Sequence, residues 1–318
     1  MIVGVIMKTE HRRYPRDQSP LWKITSPAML ATRLEISPQE LKRLEKKVEK
    51  FRVWQDQKTK RWIQQPEPKL KKIHERIWRL LSRIETPDYL HSAIKGRSYI
   101  SNASSHSADQ PSVKSDIMKF YPSIRAQAVF AFFHERMLCA RDVAGKLTEL
   151  LTYNGHLPTG SSASPILSYF AYEDMFEEIN AVAVQRGCLM TCYVDDMVFT
   201  GPGATNALLY DIRKIAGRYH LKTHKTRTFQ ANQPKIITGV AVTQSGLRLP
   251  NERRRLIEDG DIALKGCKTN DDSIALLNIL TSRLHEAAQI DQSWKAKANE
   301  MSALLKHTKR DALAALKP

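Results

Sequence analysis

Two adjacent aspartates inside an apolar stretch constrain the fold of this chain more than any other feature. Residues 189–201 read LMTCYVDDMVFTG, which predicts two short strands, 189–193 and 197–200, on either side of Asp195-Asp196. Because an unpaired buried charge is costly, carboxylates in an apolar hairpin need a cationic partner. Mg²⁺ takes oxygen ligands and is commonly held by one or two carboxylates together with substrate phosphates. The hairpin therefore indicates a site that handles phosphate groups.

A second aspartate pair in the chain shows that the dipeptide alone is weak evidence. Asp271-Asp272 precedes apolar residues at helical spacing, so we expect it to act as an N-cap and a partner of the helix dipole. Asp195-Asp196 differs because a third carboxylate, Asp116, ends a predicted extended stretch about 80 residues earlier. A strand-borne aspartate and a hairpin pair can converge on two metal ions, an arrangement that suits phosphoryl transfer.

The charge of the chain indicates a polyanionic partner. Its 318 residues include 50 Lys and Arg against 33 Asp and Glu, a formal charge of +17. Such an excess is the electrostatic footprint of a nucleic-acid-binding protein. The excess is concentrated between Leu41 and Arg83, with fifteen basic and five acidic residues, and we name these residues the basic segment. Its charge fits either phosphate contacts or a solvated cationic surface.

Two helices and a hairpin are predicted in and around the basic segment. Ser37, Pro38 and Glu40 form a capping-box pattern that begins the first helix. Residues 51–54 and 58–63 predict a basic hairpin whose aromatic positions favour stacking onto nucleic acid. The second helix has an apolar face and a basic face at 3.6-residue spacing, namely Leu70, Ile73, Ile77, Leu80, Leu81 and Ile84 against Lys69, Lys71, Lys72, Arg76, Arg79 and Arg83.

Membrane insertion and export are not expected. The longest apolar run, residues 1–7, is far shorter than the ~20 residues that span a bilayer. It also lacks the basic region and cleavage site of a secretory signal. The four cysteines include no C-x-x-C pair, so we expect reduced, buried thiols in a cytoplasmic protein.

Several motifs between about residues 50 and 250 resemble those of a retron-type reverse transcriptase, a bacterial RNA-directed DNA polymerase. In chain order they are a fingers motif at 60–66 followed by Leu70-Lys71, a first palm motif Asp116-Ile-Met-Lys-Phe-Tyr121, a nucleotide-site loop at 157–165, the YxDD hairpin Tyr193-Val-Asp-Asp196, the lysine motif His224-Lys225-Thr226 and the primer-grip hairpin Thr238-Gly239-Val240. Two elements resemble retron enzymes in particular: Asn102-Ala-Ser-Ser-His106 fits the pattern NAxxH, and Ile237-Thr238-Gly239 nearly fits VTG.

The chain departs from the family pattern at two positions. The family usually has Gln in an LPQG loop where this chain has Thr159. Because Thr offers one hydroxyl in place of an amide, an amide contact to the nucleotide is not available from this position. Ile237 stands where Val is usual, which is a small change.

The resemblance implies a metal site built from the three aspartates. It implies that Asp116 and Asp195 hold two Mg²⁺ ions, that Asp196 completes the carboxylate cluster, and that the backbone carbonyl of Ile117 is a further ligand. Lys225 is the implied general acid for the pyrophosphate leaving group.

The resemblance also implies nucleotide contacts. Lys60 and Arg61 are expected to grip the triphosphate. Thr159 and Gly160 are expected to line the nucleotide loop, where small residues let the backbone approach closely. Tyr121 is expected to lie beneath the incoming sugar and to exclude a 2′-hydroxyl.

Further expectations concern neighbouring and more distant residues. Phe120 is expected on the side opposite to Tyr121 if the chain stays extended there. His106 is expected to be a structural histidine outside the catalytic set. The residues expected to contact nucleic acid are Arg76, Arg79, Arg83, Thr238, Gly239, Arg253, Arg254 and Arg255.

The implied architecture is an α+β right-hand polymerase fold with fingers, palm and thumb. Residues 1–109 are assigned to an N-terminal extension and the fingers. Residues 110–245 are assigned to the palm, whose antiparallel sheet carries the YVDD hairpin, with a helical fingers insertion near 126–153. Residues 246–318 are assigned to a helical thumb with helices near 251–264, 273–288 and 293–316, and we expect no nuclease domain.

The implied function is RNA-directed DNA synthesis from dNTPs. A retron enzyme copies a structured non-coding RNA, which serves as template and primer, into a branched RNA–DNA molecule (msDNA), commonly with an effector protein in phage defence. Other bacterial reverse transcriptases remain open, namely group II intron-like, diversity-generating or CRISPR-associated enzymes. A non-catalytic RNA-binding scaffold is an alternative of another class, against which the complete set of three aspartates argues.

Overall fold

The computed structural model describes residues 13–46, 50–267 and 269–315 of the chain. The apolar run at 1–7 lies outside these ranges. Among the residues within them, no helix is long and apolar enough to cross a bilayer. The four cysteines are free thiols, and Cys139, Cys188 and Cys192 are buried.

The described residues form two compact units. One combines the residues up to Ser98 with Val113–Thr228, and the other combines Tyr99–Ser112 with the residues from Phe229 onward. We call them the first and the second unit. The division into fingers, palm and thumb stays a prediction.

Both units contain α-helices. In chain order they are α1 (Pro27–Leu34), α2 (Pro38–Lys46), α3 (Pro68–Leu81), α4 (Tyr99–Ser104), α5 (Phe120–Ser123), α6 (Ala126–Ala131), α7 (Arg141–Leu151), α8 (Ser164–Ala171), α9 (Glu173–Gln185), α10 (Asn206–Arg218), α11 (Asn251–Lys265), α12 (Asn270–Ile290) and α13 (Lys295–Ala315). A π-helical turn at Phe132–Arg136 follows α6, and 3-10 turns lie at Arg16–Gln18 and Gln292–Trp294.

The strands form three sheets. They are β1 (Phe51–Gln55), β2 (Trp62–Pro66), β3 (Ser112–Ile117), β4 (Leu189–Tyr193), β5 (Asp196–Thr200), β6 (Thr223–Phe229), β7 (Lys235–Ile237), β8 (Val240–Thr243) and β9 (Gly246–Arg248). The sheets have the orders β1-β2, β4-β5-β3-β6 and β7-β8-β9. This mixture of helices and sheets confirms the predicted α+β class.

The elements of the basic segment form where their local signals predict them. The Ser37 hydroxyl accepts a hydrogen bond from the Glu40 backbone N–H at 3.1 Å, so the predicted cap of α2 is present. α3 begins at Pro68, and the fixed φ of proline suits the first turn of a helix. The predicted apolar face of α3 is buried, and the apolar positions continue past its end to Ile84.

The four-stranded sheet belongs to the first unit, which has its own apolar core. The largest buried side chains of that core are Tyr169, Phe132, Phe133, Phe176 and Phe199. Phe199 lies on β5, one of the two strands of the hairpin that carries Asp195-Asp196. The core therefore fixes the strands on which those carboxylates lie.

The chain does not stay extended around Phe120 and Tyr121, so the condition for placing Phe120 opposite Tyr121 is not met. β3 ends at Ile117, Lys119 has a φ of 49°, and the single helical turn α5 follows. Phe120 is buried and packs edge-on against Phe176 with ring centroids 6.3 Å apart. The Phe120 and Tyr121 rings remain neighbours, with centroids 5.9 Å apart, because the backbone turns here and does not alternate side chains along a strand.

The second unit contains the three predicted C-terminal helices, α11, α12 and α13. The predicted end of the last helix, Leu316, lies outside the described residues. The N-cap of α12 is Thr269, whose side chain accepts from the Asp272 backbone N–H at 3.2 Å. Asp271 and Asp272 therefore lie in the first turn as partners of the helix dipole and are not the cap itself.

One buried histidine joins three elements of the first unit. His74 on α3 lies with Nδ1 2.6 Å from the Ser161 hydroxyl and Nε2 2.8 Å from the Leu150 carbonyl oxygen. Because a carbonyl only accepts, Nε2 carries the proton and Nδ1 accepts from Ser161. Burial lowers the pKa of His74 to about 4, from an ordinary value of 6.5.

We predict that His74 makes the protein sensitive to mild acid. The unfolded chain takes up a proton as pH falls through about 6.5, whereas the folded chain does not until about 4, so stability falls across that window. Between pH 7 and pH 5 this histidine should cost about 2 kcal/mol of the free energy of unfolding. Urea unfolding at both pH values measures the free energy of unfolding. The decrease from pH 7 to pH 5 should be smaller in His74→Gln than in the parent, by about 2 kcal/mol.

A matched substitution controls for general effects of losing a histidine. His285 is exposed on α12, so His285→Gln removes a histidine without removing a buried one. It should keep the pH dependence of the parent. An unchanged pH dependence in His74→Gln would show that the buried imidazole is not the acid-sensitive group.

Candidate active site

The four-stranded sheet brings the three predicted carboxylates together. Asp116 lies on the central strand β3, Asp196 begins the adjacent strand β5, and Asp195 lies in the turn between β4 and β5. The backbone N–H of Ile117 donates to the Asp195 carbonyl oxygen at 3.3 Å and joins β3 to this turn. Because β3 and β5 are neighbours, residues about 80 positions apart share one site.

The turn that carries Asp195 contains an unfavourable backbone conformation. Tyr193 pairs with Asp196 across the hairpin, which leaves Val194 and Asp195 as the turn. Val194 has a φ of 63°, in the left-handed region that β-branched residues avoid. Strain of this kind costs about 1–3 kcal/mol and concentrates at functional sites.

Burial and mutual repulsion disfavour the charged forms of the carboxylates. The pKa of Asp195 is raised, first by burial and then by the neighbouring Asp116 carboxylate. Burial also raises the pKa of Asp196, against the opposing effect of Lys114. Buried carboxylates so close together need cations in order to stay ionised.

Three basic side chains approach this carboxylate cluster. Lys114 Nζ lies 2.5 Å from Asp196 Oδ2. On the other side, Lys225 Nζ is 3.5 Å from Asp116 Oδ2, and His224 Nε2 is 3.4 Å from Asp116 Oδ1. The structure thus brings the predicted Lys225 to Asp116.

Lys114 and His224 are site residues that the sequence analysis missed. A usable signal existed for Lys114, since residues two apart on a strand share a face and Lys114 precedes Asp116 by two positions. His224 lies next to Lys225, and strand alternation places such neighbours on opposite faces. The positive φ of Lys225, 49°, breaks that alternation and could not be predicted from the residue types.

Two buried oxygens of the cluster lack hydrogen-bond partners. Within the part of the chain that the structure describes, Asp116 Oδ1 and Asp196 Oδ1 accept no hydrogen bond. Among the described residues, no group of three acidic, histidine or cysteine side chains is arranged so that it could hold a metal ion. The donor set nevertheless fits a divalent cation, because such an ion satisfies orphaned carboxylate oxygens and takes further ligands from a phosphate-bearing substrate.

Tyr121 lies beside this cluster. Its pKa is raised, chiefly by burial and then by the nearby Asp195 carboxylate and Tyr193. The ring belongs to α5, directly after the strand that carries Asp116. A short segment therefore supplies both a carboxylate and an aromatic wall.

The loop at 157–160 is bound to strand β2. The Thr159 backbone N–H donates to Gln64 Oε1 at 3.1 Å, and the Thr159 hydroxyl lies 2.9 Å from the Trp62 carbonyl oxygen. The Gly160 N–H donates to the Gln64 carbonyl oxygen at 3.1 Å. Thr159 thus contacts the hairpin β1-β2, and Gln64 is a residue that the motif comparison did not single out.

Gly160 is small for a reason that the sequence analysis did not give. We expected a glycine here so that the backbone could approach a nucleotide. A Cβ on Gly160 would lie only 2.7 Å from the Gln64 carbonyl oxygen, so the close neighbour is the backbone of β2. The absence of a side chain lets the loop pack against that strand.

Lys60 and Arg61 lie at the exposed end of the β1-β2 hairpin. Asp56 holds the turn, since its Oδ1 accepts from the Thr59 N–H at 2.7 Å. Trp62 beside them is 58% exposed. The hairpin therefore presents two cations and an aromatic ring to solvent, as predicted for this segment.

The three predicted arginines of α3 and its end differ in their surroundings. Arg76 pairs with Glu35 at 2.9 Å, and the Arg83 guanidinium lies 5.0 Å from the centre of the Tyr14 ring. Arg79 is exposed. Its Nε donates to the Glu75 carbonyl oxygen of the same helix at 3.4 Å, whereas Arg76 and Arg83 contact side chains from other parts of the first unit.

The predicted contact residues of the second unit also have internal partners. The Thr238 hydroxyl donates to the Tyr99 carbonyl oxygen at 2.8 Å. Arg253 pairs with Glu286 at 2.7 Å, and a Cβ on Gly239 would lie 2.7 Å from the Arg253 guanidinium. Gly239 has a φ of 78° and therefore suits both the backbone and this close contact.

The two retron-like sequence elements meet in the second unit. Asn102 is buried on α4, and its Nδ2 lies 3.4 Å from the Thr238 hydroxyl. His106 is also buried, in agreement with a structural role. Arg254 and Arg255, by contrast, are exposed on α11.

Comparisons of the sequence with a family profile and with curated proteins agree on one family. Residues 44–246 match the profile of the family described as reverse transcriptase (RNA-dependent DNA polymerase). Retron Se72 reverse transcriptase of Salmonella heidelberg (strain 579083-10) is 27% identical over 211 residues, which cover 63% of this chain and 56% of the relative. Retron Ec86 reverse transcriptase of Escherichia coli is 25% identical over 207 residues, which cover 63% of this chain and 64% of the relative. The match thus spans less than two thirds of either relative.

A telomerase and a viral enzyme are among the solved structures that match this chain, both at TM-scores below 0.5. Telomerase from Candida albicans, in complex with a fragment of telomeric RNA, matches with a TM-score of 0.46 and 10% sequence identity. The alignment covers 80% of this chain and 60% of the telomerase chain. The foamy viral protease-reverse transcriptase, in complex with double-stranded DNA, matches with a TM-score of 0.38 and 13% sequence identity. The alignment covers 78% of this chain and 42% of the viral chain.

We predict that the close packing of Gly160 stabilises the first unit. Gly160→Ala forces the loop away from β2 and should lower the free energy of unfolding by about 1–3 kcal/mol, as expected for overpacking. Gly145 on α7 is the matched control, because an added Cβ meets no atom within 4 Å there. Gly145→Ala should stabilise by about 0.5–1 kcal/mol, since Ala is the better helix former. Equal effects of both substitutions in urea unfolding would contradict the close packing of the loop.

Proposed function

The chain belongs to the reverse transcriptase (RNA-dependent DNA polymerase) family, and from this premise we propose that it copies RNA into DNA as a retron enzyme does. The observation that carries the proposal is the carboxylate cluster on β3 and β5, in which two buried oxygens accept no hydrogen bond from the described residues. A family member with this cluster intact has the groups that nucleotidyl transfer requires. The curated relatives, both named as retron reverse transcriptases, support the retron type.

Two Mg²⁺ ions are the proposed cofactor. Asp116 and Asp195 hold them, with Asp196 completing the cluster and the Ile117 carbonyl as a further ligand. When bound, divalent ions orient the attacking hydroxyl and neutralise charge on the phosphate oxygens. The protein contributes a sheet that fixes the carboxylates before substrate arrives.

Cationic side chains act on the triphosphate in this proposal. Lys225, whose side chain is 61% exposed next to Asp116, protonates the leaving pyrophosphate. Lys60 and Arg61 hold the triphosphate from the end of the β1-β2 hairpin. Their exposure in that turn supports this role, because solvent-facing cations are accessible to a triphosphate that arrives from solution.

Tyr121 and the loop at 157–160 shape the nucleotide site. The Tyr121 ring excludes a 2′-hydroxyl and so selects dNTPs. Thr159 and Gly160 serve chiefly to anchor the loop on β2, and the nucleotide then contacts a backbone that Gln64 holds in place. This arrangement provides a role for Thr159 without the amide that is usual in the family.

Exposed cations bind the nucleic acid. Arg79 with Lys69, Lys71 and Lys72 forms a solvent-facing basic surface on α3, and Arg254 and Arg255 form another on α11. Arg76, Arg83, Thr238, Gly239 and Arg253 then support these surfaces through the internal contacts described above.

The biological setting follows the retron type. The template and primer is a structured non-coding RNA, the product is a branched RNA–DNA molecule, and an effector protein acts with the complex in phage defence. Free cysteines support a cytoplasmic location, where thiols stay reduced.

We predict that Asp195→Asn abolishes DNA synthesis and spares RNA binding. Loss of a ligand that acts mainly in the transition state should cost on the order of 10³-fold in rate, about 4 kcal/mol. The measurement is primer extension on an RNA template with dNTPs and Mg²⁺, paired with RNA binding by filter retention. Asp271→Asn, in the other aspartate pair, is the control and should extend at the rate of the parent. If Asp195→Asn extends the primer at a rate within tenfold of the parent rate, the metal assignment is wrong.

We predict that Tyr121→Ala admits ribonucleotides. Removing the ring should reduce the ratio of kcat/KM for dNTP over rNTP by about tenfold or more, because the steric clash with the 2′-hydroxyl disappears. Tyr121→Phe keeps the ring and should change the ratio little. Single-nucleotide extension with both substrates measures it. An alanine variant that extends with the sugar preference of the parent would identify this tyrosine as a packing residue only.

We predict that Lys72→Gln with Arg79→Gln weakens RNA binding and its salt dependence. The slope of log K against log salt should fall by about 0.7–0.9 for each phosphate that the variant no longer neutralises. The control is Arg213→Gln with Lys214→Gln, which removes the same charge from exposed positions on α10. If both pairs change the slope equally, the effect reflects net charge and not a binding surface on α3.

A further inference from the structure

Lys114 is the basic side chain nearest to the carboxylate cluster, and no motif accounts for it. Its ammonium lies 2.5 Å from Asp196 Oδ2. We propose that Lys114 is a built-in counter-cation that holds Asp196 in place before any divalent ion binds and thereby sets how tightly the cluster takes that ion. This inference rests on the proposed function, because it concerns the same metal site.

The sequence places Lys114 on the face of β3 that carries Asp116. Val113, Ser115 and Ile117 are buried and alternate with Lys114 and Asp116, so the latter two project on the same side of the sheet. β5 lies next to β3 and begins at Asp196. One strand therefore presents a carboxylate and, two positions earlier, a cation for the adjacent strand.

The pair is largely removed from solvent. The side chains of Lys114 and Asp196 are 20% and 17% exposed. A surface pair contributes little, whereas loss of one partner of a shielded pair leaves an uncompensated charge. Lys114 is therefore a positioning residue that acts through Asp196.

The other nearby cations do not duplicate this role. Lys225 and His224 both face Asp116, at 3.5 Å and 3.4 Å, and the Lys225 side chain is 61% exposed. Among the described residues, Lys114 is the one whose ammonium forms an ion pair with Asp196.

The opposing charges give the pair two consequences. In the absence of a divalent ion, Lys114 offsets the negative charge of Asp196 and stabilises the folded site. When a divalent ion approaches, the same ammonium repels it and competes for Asp196. Removal of Lys114 should therefore destabilise the metal-free protein and tighten divalent binding at the same time, a combination that a merely structural lysine does not produce.

The experiment measures Mn²⁺ binding to the full chain without nucleic acid or dNTP. Free Mn²⁺ is followed by electron paramagnetic resonance, and unfolding temperature is recorded with and without Mn²⁺. Lys114→Met should bind Mn²⁺ on the order of tenfold more tightly, because a full positive charge near the ion has been removed. Its unfolding temperature should fall below that of the parent without Mn²⁺ and recover when Mn²⁺ is added.

Three further variants complete the test. Lys114→Arg keeps the charge and should keep the affinity of the parent. Lys119→Met removes an exposed lysine from the same segment and should also behave as the parent. Lys114→Gln has no charge but retains hydrogen bonding, and it provides the same measurement if Lys114→Met does not fold without Mn²⁺.

The outcomes separate this inference from the proposed function. Unchanged or weaker Mn²⁺ binding in the uncharged Lys114 variants, with an equal decrease of unfolding temperature with and without Mn²⁺, overturns the role of Lys114. If the Mn²⁺ binding of the parent survives Asp195→Asn, the metal site itself is wrongly assigned, whatever the Lys114 variants do.

Discussion

The removal of three carboxylates from water is the constraint on which the first unit depends. Asp116, Asp195 and Asp196 repel one another, and burial adds to the cost of their charge. The hairpin strands supply the compensating stability through buried side chains such as Met197, Val198 and Phe199. They also impose the strained turn at Val194. A site that is unfavourable by itself is thus maintained by a well-packed sheet, as expected where polar chemistry must occur in a low-dielectric setting.

The loop and helix start at 157–164 show a second way in which the fold supports chemistry. Gln64 on β2 binds Thr159 and Gly160, and His74 on α3 accepts from Ser161. Two elements of the basic segment therefore fix one loop through a network of buried hydrogen bonds, which rigidifies a structure more than isolated hydrogen bonds do. Substitutions at these positions are expected to alter the proposed nucleotide site indirectly.

Local patterns in the sequence predicted most elements, and tertiary contacts account for what they missed. The apolar period of α3, the Ser37 cap and the alternation around Asp195-Asp196 each depend on residues close in sequence, so these elements could be predicted. The partners of Arg76 and Arg253, Glu35 and Glu286, come from distant segments, and charge patterns alone do not identify such pairs. The turn at Phe120 was missed because the left-handed φ of the preceding lysine is not encoded in any residue preference. Lys114 is different, because the two-residue period of β3 would have identified it.

The central claim is that Asp116 and Asp195 bind the divalent ions that act on a nucleoside triphosphate. Crystals of the full chain grown with Mn²⁺ and a non-hydrolysable dNTP analogue would test it through the anomalous scattering of manganese. The account predicts anomalous peaks in contact with the Asp116 and Asp195 carboxylates and with the phosphate oxygens. An ordered triphosphate whose manganese peaks lie away from both aspartates would contradict the account.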